Sequence, residues 1–137
     1  VYYFVCLGSC PSWLPLKYRL VRLIGHHLER LEDVFANIIQ NSVNYTFKGG
    51  INISIESLKN KAIIIIKDTG VGLTKDDKKH LFRSGGRGKD SMKYNANSTG
   101  YGLYIAQKVV EAHDGTLVAK SEGRDEGSQF IVELPLK

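Results

Sequence analysis

Four consecutive isoleucines, Ile63, Ile64, Ile65 and Ile66, lead into Asp68-Thr69-Gly70-Val71-Gly72-Leu73. A β-branched run of this kind fits a buried strand. The acid therefore stands at the mouth of that strand, where a carboxylate needs a hydrogen-bonding partner. Gly70 and Gly72 allow a tight turn and let a flat ligand lie against the backbone. The pairing reads as a carboxylate that accepts a hydrogen bond from a ligand amino group. Taken alone, the same residues are also what a strand ending in a turn requires.

The pattern on either side places this strand in a mixed architecture. Residues 18–24 read as a short strand. Residues 28–46 read as a helix, with Leu28, Leu31, Val34, Phe35, Ile38, Ile39 and Val43 forming one apolar arc. Lys48-Gly49-Gly50 ends it, and residues 51–58 alternate as a half-buried strand. Lys59-Asn60 turns the chain into the buried strand 61–68. Residues 74–82 read as a short polar helix capped by Thr74, and residues 101–113 as a second apolar helix stopped by Asp114-Gly115. Residues 116–121 and 128–134 read as a closing hairpin. The expectation is an α+β, two-layer sandwich. Its mostly antiparallel mixed sheet has about five strands, covered on one face by about three helices.

At 137 residues the chain is long enough for one domain with a real core. Its 42% hydrophobic and 24% charged content is that of an ordinary soluble globular protein. The net charge of +5 is partly local: between residues 83 and 99, Arg83, Arg87, Lys89 and Lys93 oppose Asp90 and leave +3. This glycine-rich stretch has no apolar period and reads as a flexible loop. Basic charge concentrated there fits a small polyphosphate better than a nucleic-acid duplex, which would want a broad basic face. Cys6 and Cys10 match no metal or redox spacing. Residues 1–16 carry no charge, but Pro11 and Pro15 interrupt them and they fall short of the roughly 20 residues of a spanning helix. They read as a linker or an edge strand. Val1 at the start reads as the beginning of a fragment.

Two further groups carry chemistry. Asn37, Asn41 and Asn44 lie on one edge of the first helix, beside its apolar arc, with Tyr45 at the join. Asparagine is a poor helix former, and its amide oxygen can ligate Mg²⁺, which takes oxygen donors and keeps several waters. Ser98-Thr99-Gly100-Tyr101-Gly102-Leu103 opens the apolar helix 101–113 with two glycines, and Ser98 or Thr99 can cap it. Free amides at a helix start favour phosphate.

With these motifs in order, the sequence resembles the ATP-binding catalytic domain of bacterial sensor histidine kinases. That domain lies within the GHKL superfamily shared with gyrase-type ATPases and MutL-like proteins. Asn37-Ile38-Ile39-Gln40-Asn41-Ser42-Val43-Asn44-Tyr45-Thr46 resembles the N box and Asp68-Thr69-Gly70-Val71-Gly72 the first glycine box. Leu81-Phe82 resembles a reduced F box, Ser98 to Leu103 the second glycine box, and Gly127-Ser128-Gln129-Phe130 the last motif. The resemblance covers residues 18–137 as one domain and leaves 1–17 uncovered.

The resemblance implies ATP and Mg²⁺ as cofactors. Asn41 would ligate the metal, supported by Asn37 one turn earlier, and both would be the catalytic residues. Asp68 would accept a hydrogen bond from the adenine amino group, with Ser128 assisting through water. Tyr45 would pack beside the base, and Gly70 and Gly72 would let it approach. Arg87 and Lys89 in the ATP lid would meet the γ-phosphate. Gly100 and Gly102 would hinge that lid, with Ser98, Thr99 and Leu103 in the same box. Asn44 stands where many relatives carry a basic phosphate contact. Ser98 replaces a glycine, and His26-His27 stand where the family often has an Asp.

The implied partners are a histidine-bearing dimerisation domain, absent from this chain, and a response regulator reached through it. Nucleic acid is not expected. The fragment alone is expected to be monomeric and cytoplasmic, including as the cytoplasmic part of a membrane-bound sensor. Two alternatives are a stand-alone GHKL ATPase and a degenerate nucleotide-sensing or docking domain. Against the first, hydrolytic members carry a glutamate where this chain has Asn37, and an amide cannot take a proton from water.

Overall fold

The computed structural model of the chain describes residues 2–6, 28–85 and 100–136. The expected strand at 18–24 and most of the basic loop lie outside the described residues. In chain order the elements are β1 (Tyr2–Cys6), α1 (Leu28–Asn44), β2 (Gly50–Leu58), β3 (Lys61–Asp68), α2 (Lys75–His80), α3 (Gly102–Ala112), β4 (Thr116–Lys120) and β5 (Gln129–Pro135). The five strands form one sheet in the order β1-β2-β3-β5-β4. Each neighbouring pair is antiparallel, and no parallel pair occurs among the described strands. The molecule is thus an α+β fold with helices against an open antiparallel sheet.

β3 lies inside the sheet because its isoleucines can be covered on both edges. Ile66 stands opposite Ile53 of β2 and Phe130 of β5, and Ile64 opposite Ile55 and Val132. Side chains two residues apart share a face, so Ala62, Ile64 and Ile66 all point into the core and are fully buried. The same parity sends Asp68 to the helix side, where it is 3% exposed.

The helices answer that face with their apolar arcs. α1 buries Leu31, Val34, Phe35 and Ile38, and α3 buries Leu103, Ala106 and Val110, all in the same core as the strand residues. Each of the larger side chains, Ala106 aside, contributes about 1.5–3 kcal/mol when removed from water. α2 has no buried residue. It is held by its ends instead. Thr74 Oγ1 accepts from Asp77 N at 3.1 Å and Asp77 Oδ2 accepts from Thr74 N at 3.0 Å, a reciprocal capping box. Just beyond its last turn, Leu81 and Phe82 pack on the core. α3 ends where Asp114 takes a left-handed conformation (φ +57°), which a short polar side chain tolerates.

Candidate functional site

The site begins with Asp68, the last residue of β3. Its Oδ1 accepts from the backbone N–H of Gly70 and of Ser128, both at 3.0 Å, and its Oδ2 accepts from the Ser128 hydroxyl. Its own N–H donates to the Ser128 carbonyl at 2.8 Å. A carboxylate offers about four acceptor positions. With two filled on Oδ1 and one on Oδ2, the remaining position belongs to Oδ2. Burial and three donors hold the acid in one orientation, able to accept one more hydrogen bond.

The turn after Asp68 is fixed to the end of α1. Val71 N donates to the Tyr45 carbonyl at 3.0 Å. Gly70 passes so close that a Cβ there would lie 2.3 Å from the same Tyr45 oxygen. Gly72 adopts φ +70°, and a Cβ there would lie 1.9 Å from the Gly123 carbonyl. Both positions exclude any side chain, the first by contact and the second by contact and conformation. The turn is a backbone surface wedged between the α1 terminus and the β4–β5 connection.

The asparagine edge of α1 faces a different neighbour. Gly102, the first residue of α3, faces Asn37: a Cβ there would stand in ordinary contact, 3.6 Å from the Asn37 amide carbon and oxygen. Asn41 follows one turn later and is half-buried. Asn44 Oδ1 accepts from Gln40 Nε2 at 2.9 Å. Gly100 has φ +72°. Tyr101 occupies the N-cap of α3 without a side-chain capping bond, while Leu103 is a core residue. The fold therefore gathers Asp68, Gly70 and Ser128 at one point, with Tyr45 tied to it through its carbonyl. It sets Asn37 against Gly102 at a second point. Arg87, Lys89, Ser98 and Thr99 lie outside the described residues. Among the described residues no cluster of three or more His, Cys, Asp or Glu could hold a metal ion.

Thr69 escaped the sequence reading although it sits inside the glycine motif. Its hydroxyl accepts from Gly50 N at 3.1 Å and donates to the Lys48 carbonyl at 3.2 Å, closing the turn into β2. A Ser or Thr beside a structural Asp is the signal that could have pointed to it. Ser121, whose hydroxyl accepts from Leu73 N at 3.0 Å, escaped as well.

The chain belongs to the family of histidine kinase-, DNA gyrase B- and HSP90-like ATPases, whose pattern it matches over residues 26–137. It is 34% identical over 108 residues to the sensor histidine kinase RppB of Synechocystis, an overlap of 78% of this chain and 24% of RppB. It is 29% identical over 123 residues to the sensor protein SrrB of Staphylococcus aureus, covering 89% of this chain and 21% of SrrB. The chain thus spans less than a quarter of the length of these relatives. In three dimensions it resembles the catalytic domain of histidine kinase ThkA, with TM-score 0.69, 20% identity and coverage of 90% of this chain and 87% of that one. It also resembles full-length ShkA in complex with AMPPNP, with TM-score 0.65, 23% identity and coverage of 78% and 21% respectively.

Proposed function

We propose that the chain is the ATP-binding catalytic domain of a two-component sensor histidine kinase, which holds Mg-ATP and presents the γ-phosphate to a histidine on a separate dimerisation domain. The observation that carries this reading is the geometry of Asp68: a buried carboxylate, oriented by three donors, with one acceptor position left on Oδ2. Adenine offers an exocyclic amine to such a group. Guanine offers a carbonyl oxygen at the equivalent edge and would meet the carboxylate with like partial charge. Gly70 and Gly72 supply the flat backbone on which the base lies, and Tyr45 borders it.

The phosphates then extend toward the second point, where Asn37 meets the first residue of α3. Amides at the start of α3 favour negative charge, and Arg87 and Lys89 add cationic partners. The donor set fits magnesium: an amide oxygen from Asn41 is a hard donor, and this ion takes its other ligands from water and substrate phosphates rather than from a protein cage. When bound, the ion would neutralise charge on the phosphates. The chain's own contribution is to anchor the base at Asp68, hold the metal-side amide at Asn41 and fix the direction of the triphosphate. Phosphoryl transfer depends on such positioning and charge stabilisation rather than on covalent help. Asn37 cannot act as a base toward water, so transfer outpaces hydrolysis.

The acceptor histidine would sit on a separate dimerisation domain, the response regulator would be a partner reached through that domain, and the catalytic domain would work in the cytoplasm. Among the described residues no helix is long and apolar enough to cross a membrane. Calorimetry with ATP and GTP tests the assignment. ATP is expected to bind and GTP to bind at least tenfold more weakly, by about 1.4 kcal/mol or more. Equal affinity would remove Asp68 from the base site.

A further inference from the structure

The turn at residues 68–73 is gripped at both ends by one connection, that between β4 and β5. Ser128 holds the Asp68 end. At the other end stands Ser121, just after β4, whose hydroxyl accepts from Leu73 N at 3.0 Å and from Gly123 N at 3.3 Å. It donates toward the Gly127 carbonyl at 2.6 Å, with the Gly123 carbonyl at 3.1 Å as a second acceptor. One donor and two acceptor positions are all that a hydroxyl has, so Ser121 is saturated by these contacts. Between the two serines, Gly127 N donates to Gly70 O at 3.0 Å and Asp125 N to Val71 O at 2.8 Å. Lys78 Nζ on α2 donates to the Ser121 carbonyl, holding the serine from outside the loop.

We propose that Ser121 is a positioning residue for the adenine-facing turn: its hydroxyl fixes Leu73 to the β4–β5 connection so that Gly70 and Gly72 keep the height and tilt that the base requires above Asp68. The inference rests on the nucleotide reading given above. Ser121 touches no ligand in this account. It acts through the backbone of residues 70–73, which a planar base meets directly. Its loss therefore weakens the base end of the nucleotide and leaves the phosphate end unchanged. Adenosine, ADP and ATP should all lose affinity by one common factor.

The test measures binding of adenosine and of Mg-ATP to the unaltered chain, to Ser121→Ala and to Ser121→Thr, with the melting temperature and the number of binding sites recorded for each. For Ser121→Ala the dissociation constants should rise by a common factor of about five to ten, the size expected from the one of its lost hydrogen bonds that ties Leu73 and so reaches the base. The site number should stay at that of the unaltered chain. Ser121→Thr keeps the hydroxyl and should recover most of the affinity. If Ser121→Ala does not fold, Ser121→Cys, which keeps the size and weakens the hydrogen bonds, is read in its place. Unchanged dissociation constants with a lowered melting temperature would make Ser121 a fold residue only and overturn the inference. So would a loss confined to ATP, which would place its effect at the phosphates. Failure of the unaltered chain to bind either compound would instead overturn the nucleotide reading itself.

Discussion

At the scale of single residues, the value of Asp68 lies in how little freedom it has. It is 3% exposed, and its oxygens are engaged by Gly70, Ser128 N and Ser128 Oγ. Asp68→Asn keeps the shape but replaces one acceptor with an amide donor. That donor faces either the Ser128 hydroxyl or the adenine amine, both of which also donate. A hydrogen bond to a charged group contributes about 2 kcal/mol, so the variant should bind ATP about thirtyfold more weakly in calorimetry. Asn41 makes a different claim. Asn41→Ala should weaken Mg-ATP several-fold more than metal-free ADP, because an amide ligand acts through the ion. Proportional losses of both affinities would make Asn41 a structural residue of α1. Asn44, whose amide oxygen is engaged by Gln40, should matter less than either.

At the scale of elements, periodicity decides the outcome. The two-residue period of β3 buries Ile64 and Ile66 and carries Asp68 to the same face, toward the helices. Ile64→Ala should therefore destabilise the fold by about 2–5 kcal/mol in urea denaturation. Thr74→Ala, which opens the capping box of a helix that buries nothing, should cost about 1 kcal/mol. These elements were legible in the sequence because each carries its own pattern: the apolar arc of α1, the isoleucine run of β3, the Thr74 cap of α2. Element ends were less legible: the helix read to residue 46 stops at Asn44, and the one read over 101–113 runs from Gly102 to Ala112. Leu81 and Phe82 are apolar and extend the apparent helix to residue 82, whereas the chain leaves α2 at His80 and uses both side chains to reach the core. Ser121 was illegible for the opposite reason. A serine at a strand end has no period, and its partner Leu73 lies 48 residues away in sequence, so only the folded register brings them together.

At the scale of the whole molecule, two loops distant in sequence close on one another beneath one end of α1. In the proposed reading they form the base end of the site, with the start of α3 beside Asn37 for what extends from it. That arrangement suits a domain that holds a nucleotide and hands part of it to another. Among the described residues two histidines occur, and both stand in or at the end of the helices of this fold. His113 follows α3 and its Nδ1 donates to the Val109 carbonyl at 2.8 Å, while His80 closes α2 on the exposed side. The chain spans only 24% of RppB and 21% of SrrB. The central claim is transfer to a histidine outside this fold. It is tested by incubating the chain with ATP labelled at the γ-phosphate, first alone and then with the histidine-bearing helical domain of the same kinase. The account predicts no label on the chain alone, little free phosphate, and acid-labile label on the added domain. Acid-labile label on this chain by itself, or rapid release of free phosphate without transfer, would contradict it.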